Sequence, residues 1–168
     1  MNVSYVLLDL GGTLVRNDQN GLNLKAIPIE GAIDVIKRLS RQYQLAIVSN
    51  IPDGLDKTID QTLSEAGFRL DWFKTIVSSK DPNVKEKPDP SMFRLAIKRM
   101  KAACNETVMV GDTVDTDILG AINVGIKSIL VDHNGLYNSS NPIKPNIVIN
   151  KIQELPKALE IIKNYTRF

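Results

Sequence analysis

Short apolar runs alternate with longer amphipathic segments along the chain. The short runs are rich in β-branched residues and have the length of strands. They are Val3–Leu8, Leu45–Val48, Thr75–Val77, Thr107–Val110 and Ser128–Val131, with a weaker run at Asn146–Ile149. Because most of these runs are apolar throughout rather than alternately polar, they predict strands that are covered on both faces of a sheet.

The longer segments repeat apolar residues at helical spacing. Within Glu30–Gln42, for example, these positions are Ala32, Ile33, Ile36 and Leu39. Further helices are predicted at Leu55–Ala66, Pro90–Ala103, Asp115–Val124 and Ile152–Asn164. Strands that alternate with helices are typical of a parallel sheet, because each parallel crossover needs a long connection.

The order of these elements predicts an α/β fold with a doubly wound, mostly parallel, Rossmann-like sheet of five or six strands and helices on both faces. A length of 168 residues suits one domain. We see no linker or internal repeat, and we interpret Asn134–Pro145 as a surface loop because it is rich in Asn, Ser and Pro. Residues 1–168 are therefore predicted to form a single domain.

Composition and charge argue against several classes of partner. The 21 basic and 19 acidic residues are scattered and leave a net charge of +2, so no nucleic-acid-binding patch is indicated. No apolar run is long enough to cross a membrane, and the N-terminus lacks the pattern of a secretion signal. The single cysteine, Cys104, cannot form an internal disulfide. These features predict a cytoplasmic protein without a membrane partner.

Polar residues at the ends of the predicted strands carry the candidate chemistry, since ligands of doubly wound sheets bind beyond the carboxyl ends of the strands. Asp9 begins the segment DLGGT after the first strand, and Ser49 ends the strand LAIVS. Further along the chain, Lys87 lies in EKPDPSMF. The segment GDTVDTD then contains Asp112 and ends with Asp117.

Taken in order, these four segments resemble the motifs of the haloacid dehalogenase-like (HAD) hydrolase superfamily. The resemblance runs from Val3 to Val131, and the ordered set is specific although each segment alone would be weak. Considered singly, each residue also has an ordinary interpretation. Asp9 is compatible with a helix cap, Ser49 with a turn, and Lys87 with an exposed position.

The resemblance implies a Mg²⁺-dependent phosphatase in which Asp9 attacks phosphorus and forms an aspartyl-phosphate. Lys87 would act with Asp9 in catalysis by offsetting negative charge. The implied metal ligands are Asp9, Asp112 and the backbone carbonyl of Gly11, with Asp117 orienting a metal-bound water or Lys87. Phosphate would be held by small polar residues, backbone amides and the lysine, namely Gly12, Thr13, Ser49, Asn50 and Lys87.

One residue departs from the family's phosphatase pattern. The first motif of HAD phosphatases reads Asp-x-Asp-Gly-Thr, and its second Asp is the general acid and base, whereas this chain has Gly11. The resemblance therefore implies an enzyme that is slow or favours activated phosphates, because ordinary leaving groups would depart without a proton. Asp18, in the loop at Asn17–Asn20, is a candidate replacement, and Asp115 is a further carboxylate without an assigned role.

Other functions stay open at this level. One is a catalytically impaired HAD-fold pseudoenzyme that binds phosphate or metal and regulates a partner, which Gly11 favours. Another is a haloacid dehalogenase, which would also use Asp9 but has an aromatic residue in place of Gly11 and a helical cap. A receiver domain of two-component signalling fits poorly, because its phosphorylated Asp follows a middle strand.

No segment between the motifs is long enough for an inserted cap domain. The interval from Leu14 to Leu45 leaves room for a loop and one helix, and the interval from Ser49 to Lys87 for a helix, a strand and a loop. We therefore predict a capless member. In this family an open site implies either macromolecular substrates or a homo-oligomer whose neighbour covers the site, so the expected substrate is a phosphorylated small molecule or macromolecule.

Overall fold

The computed structural model describes residues 3–17, 25–52 and 57–164 of the chain. The strands in these residues are β1 (Tyr5–Leu8), β2 (Val15–Asn17), β3 (Ala26–Pro28), β4 (Gln44–Ser49), β5 (Phe73–Ser78), β6 (Thr107–Gly111), β7 (Lys127–Val131) and β8 (Ile147–Ile149). Six of them form one sheet in the order β5-β4-β1-β6-β7-β8, and every neighbouring pair is parallel. The sheet predicted from the apolar runs is therefore confirmed.

Helices cover both faces of the sheet, as predicted. They are α1 (Ala32–Leu39), α2 (Ile59–Glu65), α3 (Pro90–Met100), α4 (Leu119–Val124) and α5 (Leu155–Asn164). On one face, α1, α2 and α5 share a core with strand residues such as Leu8 and Val110. On the other face, α3 and α4 pack against residues such as Leu7 and Met109. Because successive strand residues face opposite sides, one strand supplies both cores, which explains why the runs are apolar throughout.

Two predicted helices are shorter in the structure for backbone reasons. α1 begins at Ala32 rather than Glu30, because Gly31 immediately before it has a left-handed φ of 78°. α3 ends at Met100 rather than Ala103, because Lys101 adopts a left-handed φ of 54° that stops the helix.

Three other helices differ from their predictions at the N-terminal end. α5 begins at Leu155 rather than Ile152, because a 3-10 turn at Ile152–Glu154 precedes it. α2 begins after Thr58, whose hydroxyl accepts a hydrogen bond from the Gln61 amide at 3.2 Å while the Gln61 side chain accepts one from the Thr58 amide at 2.9 Å. This capping box fixes the start of α2, and the predicted start at Leu55 lies outside the described residues. The segment Asp115–Val124 is not one helix, because a π-helical turn at Val114–Ile118 precedes α4.

β2 and β3 form a two-stranded antiparallel hairpin that the sequence pattern did not predict. Each strand has only three residues, too few to show a recognisable alternation of polar and apolar positions. Leu14 alone separates β2 from the segment DLGGT, so the hairpin lies next to the carboxyl end of β1. Within the described residues, no further domain is inserted into the sheet and no helix is long and apolar enough to cross a membrane.

Candidate active site

The order of the sheet brings the predicted strand-end residues to one edge. β1 lies between β4 and β6, so Asp9 is flanked by Ser49 on one side and Asp112 on the other. The Asp9 amide donates a hydrogen bond of 2.9 Å to the Val110 carbonyl, which continues the parallel ladder up to this residue. Asp9 is buried, with 6% of its surface exposed. Its carboxylate is therefore held at a fixed position on a rigid strand end.

Lys87 reaches this edge from the loop before α3, and its whole ammonium group is engaged. Nζ donates to Asp9 Oδ1 at 2.6 Å, to Asp117 Oδ1 at 2.7 Å and to the Val48 carbonyl at 3.0 Å. An ammonium group has three protons, so these contacts use all of them. Lys87 is also buried, with 4% of its surface exposed. It therefore acts as a fixed counter-charge to two carboxylates.

Asn50 fixes the backbone of Lys87. The Asn50 side-chain carbonyl accepts from the Lys87 amide at 2.8 Å, and the Asn50 side-chain amide donates to the Lys87 carbonyl at 3.2 Å. This two-way contact holds the loop before α3 against the end of β4. The neighbouring Ser49 hydroxyl donates to the Asn50 carbonyl at 3.3 Å. That Ser49 and Asn50 bind phosphate stays a prediction.

The π-helical turn places Asp117 against Lys87. The second carboxylate oxygen of Asp117 accepts a hydrogen bond from the Thr113 amide at 3.1 Å. Gly111, at the end of β6, makes this approach possible, because a Cβ at that position would overlap the Asp117 side chain. With both oxygens engaged by the protein, Asp117 fits the predicted role of orienting Lys87.

Gly12 and Thr13 pack the turn after β1 against Asp112. Gly12 has a left-handed φ of 78°, and a Cβ there would overlap the Asp112 carboxylate, so both backbone and packing require glycine. Thr13 Oγ1 lies 3.4 Å from Asp9 Oδ2 and 3.4 Å from Asp112 Oδ1. Thr13 is fully buried, so its hydroxyl contacts the two carboxylates. That Gly12 and Thr13 also bind phosphate stays a prediction.

Gly11 differs from its neighbour Gly12 in every one of these respects. It is exposed, and its φ does not lie in the left-handed region. A Cβ at this position would meet no atom within 4 Å. Packing and backbone geometry therefore do not require glycine at the position where HAD phosphatases have their acid and base.

The two carboxylates considered as replacements for that acid and base are not placed in the site. Asp18 lies outside the described residues. Asp115 is exposed on the π-helical turn and is not among the described residues that line the cavity over Asp9.

A cavity of about 530 Å³ opens over Asp9, a size typical of small-molecule sites. Its polar end is the cluster around Asp9 and Lys87. Its other wall comes from the hairpin and the start of α2, through Val15, Ala26 and Ile59. Sequence reasoning missed these wall residues, because they are ordinary apolar residues far apart in the chain and no motif marks them.

Three carboxylates surround one ammonium at the polar end of the cavity. Burial raises the pKa of Asp9 to about 7, although the Lys87 ammonium opposes this shift, and the Asp117 carboxylate adds to it. Burial and Asp117 also raise the pKa of Asp112. Burial by itself would lower the pKa of Lys87, but Asp117 and Asp9 outweigh it, so the Lys87 pKa is raised. The cluster therefore has an excess of negative charge once the carboxyls ionise.

This excess charge fits a divalent cation. Asp9, Asp112 and Asp117 each offer an oxygen, and these atoms lie within 4.8 Å of one another. Mg²⁺ prefers oxygen ligands and needs few from the protein. Lys87 and Thr113 engage the two oxygens of Asp117, and that Asp9 and Asp112 are the carboxylates that bind a metal stays a prediction. The Gly11 carbonyl as a third ligand stays a prediction.

We expect Mg²⁺ to stabilise the protein more at pH 8 than at pH 6. Between pH 3.8 and about 7, folded Asp9 keeps a proton that an unfolded carboxyl has lost. Stability of the metal-free protein therefore falls as the pH rises through this window. Mg²⁺ bound to the ionised carboxylates would offset this loss. Thermal unfolding with and without saturating Mg²⁺ measures the effect. Asp112→Asn should remove most of it, and an equal Mg²⁺ effect at both pH values would contradict the metal assignment.

Lys87→Met is expected to destabilise the fold by about 3 kcal/mol or more, because it leaves Asp9 and Asp117 buried without their counter-charge. Denaturant unfolding at pH 8 measures this change. The loss should shrink at pH 5, where Asp9 is protonated. Lys98→Met on the exposed side of α3 is the matched control and should stay within about 0.5 kcal/mol of the parent. A Lys87 variant as stable as this control would contradict the counter-charge role.

A parallel doubly wound sheet thus carries a buried Asp–Lys–Asp cluster and a further carboxylate at its carboxyl edge. Known proteins are similar to this chain in sequence and in fold. A family model described as HAD-hydrolase-like matches residues 84–155. This part of the chain is therefore similar to HAD-like hydrolases.

Two curated relatives are phosphatases. The chain is 34% identical to glyceraldehyde 3-phosphate phosphatase of Pyrococcus furiosus over 153 residues, which cover 90% of this chain and 60% of that protein. It is 27% identical to human N-acylneuraminate-9-phosphatase over 129 residues, which cover 76% of this chain and 50% of that protein. The chain thus spans between half and three fifths of the length of these relatives.

Solved structures confirm the fold. The HAD-hydrolase YfnB from Bacillus subtilis, in a form bound to magnesium, superposes with a TM-score of 0.80 at 18% identity, covering 95% of this chain and 99% of that one. An uncharacterised protein from Listeria monocytogenes serotype 4b also gives a TM-score of 0.80, at 25% identity, covering 96% of this chain and 99% of that one.

Proposed function

We propose that the protein is a Mg²⁺-dependent phosphohydrolase that acts through an aspartyl-phosphate on Asp9. The observation that carries this proposal is the buried cluster in which Lys87 holds Asp9 at 2.6 Å and Asp117 at 2.7 Å, with Asp112 beside them. A site that only bound phosphate would have little use for a buried, rigidly held carboxylate facing the cavity. The phosphatase names of the curated relatives support the same chemistry.

Each residue of the cluster has its own role in this reaction. An Asp9 carboxylate oxygen forms a bond to phosphorus as the bond from phosphorus to the leaving oxygen breaks, and that oxygen takes the electron pair. Lys87 keeps Asp9 oriented and offsets its charge. Water then attacks the aspartyl-phosphate, which releases phosphate and regenerates Asp9. Mg²⁺, held by Asp9, Asp112 and the Gly11 carbonyl, would neutralise charge on the phosphoryl oxygens.

Gly11 sets the substrate preference. With no side chain there to donate a proton, the leaving oxygen departs as an anion or takes its proton from water. General acid help is worth about a hundredfold to ten-thousandfold. Acyl and aryl phosphates, whose leaving groups are stable anions, lose least from its absence. The enzyme is therefore slow or specialised for activated phosphates.

Hydrolysis of acetyl phosphate, p-nitrophenyl phosphate and glycerol phosphate, each with Mg²⁺ and with chelator, tests this proposal. We expect turnover of the first two in Mg²⁺, little turnover of glycerol phosphate, and none with chelator. Faster turnover of glycerol phosphate would contradict the preference for activated phosphates, and turnover that survives chelation would contradict the metal requirement.

Gly11 also favours a second function, a pseudoenzyme that binds phosphate or metal and regulates a partner. Absence of turnover with all three phosphates, in a folded protein that Mg²⁺ still stabilises, would favour this alternative. We further predict a cytoplasmic location. We also predict that the open site either takes a macromolecular substrate or is covered by a neighbour in a homo-oligomer.

A further inference from the structure

Four of the described side chains that line the cavity over Asp9 carry a hydroxyl group, and they are Ser49, Thr62, Thr113 and Thr116. The first three donate to protein oxygens, over 3.3 Å, 3.0 Å and 3.4 Å respectively. The Thr116 hydroxyl forms no hydrogen bond with the described residues. Because no side-chain oxygen of these residues is both buried and without a partner, Thr116 Oγ1 is reached by solvent and is available to a ligand.

The π-helical turn at Val114–Ile118 presents Thr116 to this cavity. Thr116 lies three residues after Thr113 and directly before Asp117, and all three line the cavity. Residues three and four apart share one face of a helical turn, so this face carries the two threonines together with Asp117. Lys87 holds Asp117 at 2.7 Å, and the position of Thr116 is thereby tied to the cluster around Asp9. Short π-helical turns are rare and often occur at functional sites.

The rest of the described lining combines apolar residues with paired charges. The apolar residues come from the hairpin, from the start of α2 and from the segments after β1 and β4, namely Leu10, Val15, Ala26, Ile51, Pro52 and Ile59. Lys87 pairs with Asp9 and Asp117, and Lys57 pairs with Glu65 at 2.8 Å. Moving a charged group from water to such a lining costs free energy. The cavity therefore suits a neutral body that has an apolar part and a polar group.

We propose that Thr116 is a specificity-determining residue whose hydroxyl binds a hydroxyl group on the neutral body of a phosphate ester. The phosphoryl group lies at Asp9, the apolar part of the body against the hairpin and α2, and the hydroxyl of the body at Thr116 Oγ1. A threonine hydroxyl donates one hydrogen bond and also accepts, so it fits a hydroxyl partner in either direction. This inference rests on the proposed phosphatase function and adds a residue that selects the substrate.

Matched pairs of aryl phosphates test the inference. The meta and para isomers of (hydroxymethyl)phenyl phosphate are each compared with the ethylphenyl phosphate of the same pattern, which has nearly the same shape but no hydroxyl. The measured quantity is the ratio of the two kcat/KM values, hydroxymethyl over ethyl, with Mg²⁺ present. We expect Thr116→Val to lower this ratio about tenfold for at least one isomer, mainly through KM, because the substrate hydroxyl then lacks a partner in the cavity.

Two further variants separate this contact from a general change in the cavity. Thr116→Ser keeps the hydroxyl group and should keep the ratio of the parent protein. Thr62→Val removes another hydroxyl from the same cavity, but that hydroxyl already donates to the Thr58 carbonyl at 3.0 Å, so the ratio should again be kept. An unchanged ratio in Thr116→Val would overturn the inference. Equal losses of kcat/KM for both substrates in that variant would also overturn it, because the hydroxyl of the body would then not be the partner of Thr116.

Binding separates this inference from the proposed function. Benzylphosphonates with the same hydroxymethyl and ethyl groups cannot be hydrolysed, and calorimetry with Mg²⁺ measures their affinities. If the parent protein turns over none of the aryl phosphates, the phosphatase proposal fails. A hydroxymethyl phosphonate that loses affinity in Thr116→Val, relative to its ethyl counterpart, would still support the role of Thr116. The same affinity ratio in the parent and in the variant would overturn it.

Discussion

Replacing Asp9 by Asn is expected to reduce Mg²⁺-dependent phosphate release at least about a thousandfold, because the amide is a poor nucleophile and cannot form the acyl-phosphate. The fold should tolerate this change. Burial already raises the pKa of Asp9 to about 7, so a neutral side chain of the same shape relieves a desolvation cost, and Lys87 keeps Asp117 as a partner. Turnover of p-nitrophenyl phosphate and the melting temperature are the two measurements.

Trapping the phosphorylated intermediate tests directly whether Asp9 is the nucleophile. Acid-quenched protein should carry a hydroxylamine-sensitive phosphoryl group on Asp9, and the Asn variant should carry none. Because Gly11 supplies no base for the second step, the phosphorylated form should accumulate during turnover. A fully active Asn variant, or a phosphoryl group that resists hydroxylamine, would contradict Asp9 as the nucleophile.

Gly11→Asp is expected to raise the turnover of glycerol phosphate by about a hundredfold to ten-thousandfold, the usual contribution of a general acid and base. The structure has room for the change, since a Cβ at Gly11 meets no atom within 4 Å and the backbone is not left-handed. p-Nitrophenyl phosphate should gain much less, because nitrophenolate leaves without a proton. The gain should therefore increase with the pKa of the leaving group.

Gly11→Asn is the matched control for this gain. It fills the same space but has no carboxyl to transfer a proton, so its turnover should stay near that of the parent. An equally large gain with Gly11→Asn would show that residue 11 affects turnover through the conformation of the loop. No gain with Gly11→Asp would contradict the explanation that turnover is slow because a general acid is missing. Gly12→Ala, in contrast, should destabilise this turn, because its Cβ would overlap the Asp112 carboxylate.

The sheet could be predicted because each of its strands is marked by a short apolar run in the local sequence. β4, for instance, is apolar through Leu45–Val48, since both of its faces pack against helices. The rule that ligands bind beyond the carboxyl ends of the strands then predicts that Asp9, Ser49 and Asp112 lie at one edge. Helix ends were harder to predict, because a left-handed Lys101 and a π-helical turn at Val114–Ile118 carry no clear sequence signal.

The chemistry around Lys87 could be predicted only in part. The resemblance of its segment to a known motif marked the lysine, but its burial and its three partners depend on tertiary packing. The contact from Asn50 to the Lys87 backbone joins residues 37 positions apart and could not be inferred from either segment alone. The apolar cavity wall was missed for the same reason, because Val15 and Ile59 become neighbours of one space only through the fold.

The open surroundings of Gly11 have an evolutionary consequence. Asp117 and Lys87 are buried and paired with each other, so a mutation at either residue destabilises the fold, and selection would act against it. Gly11 carries no such penalty, and glycine and aspartate codons can differ by a single base. If Gly11 limits catalysis as proposed, one base change at this codon would restore a carboxylate without a cost in stability.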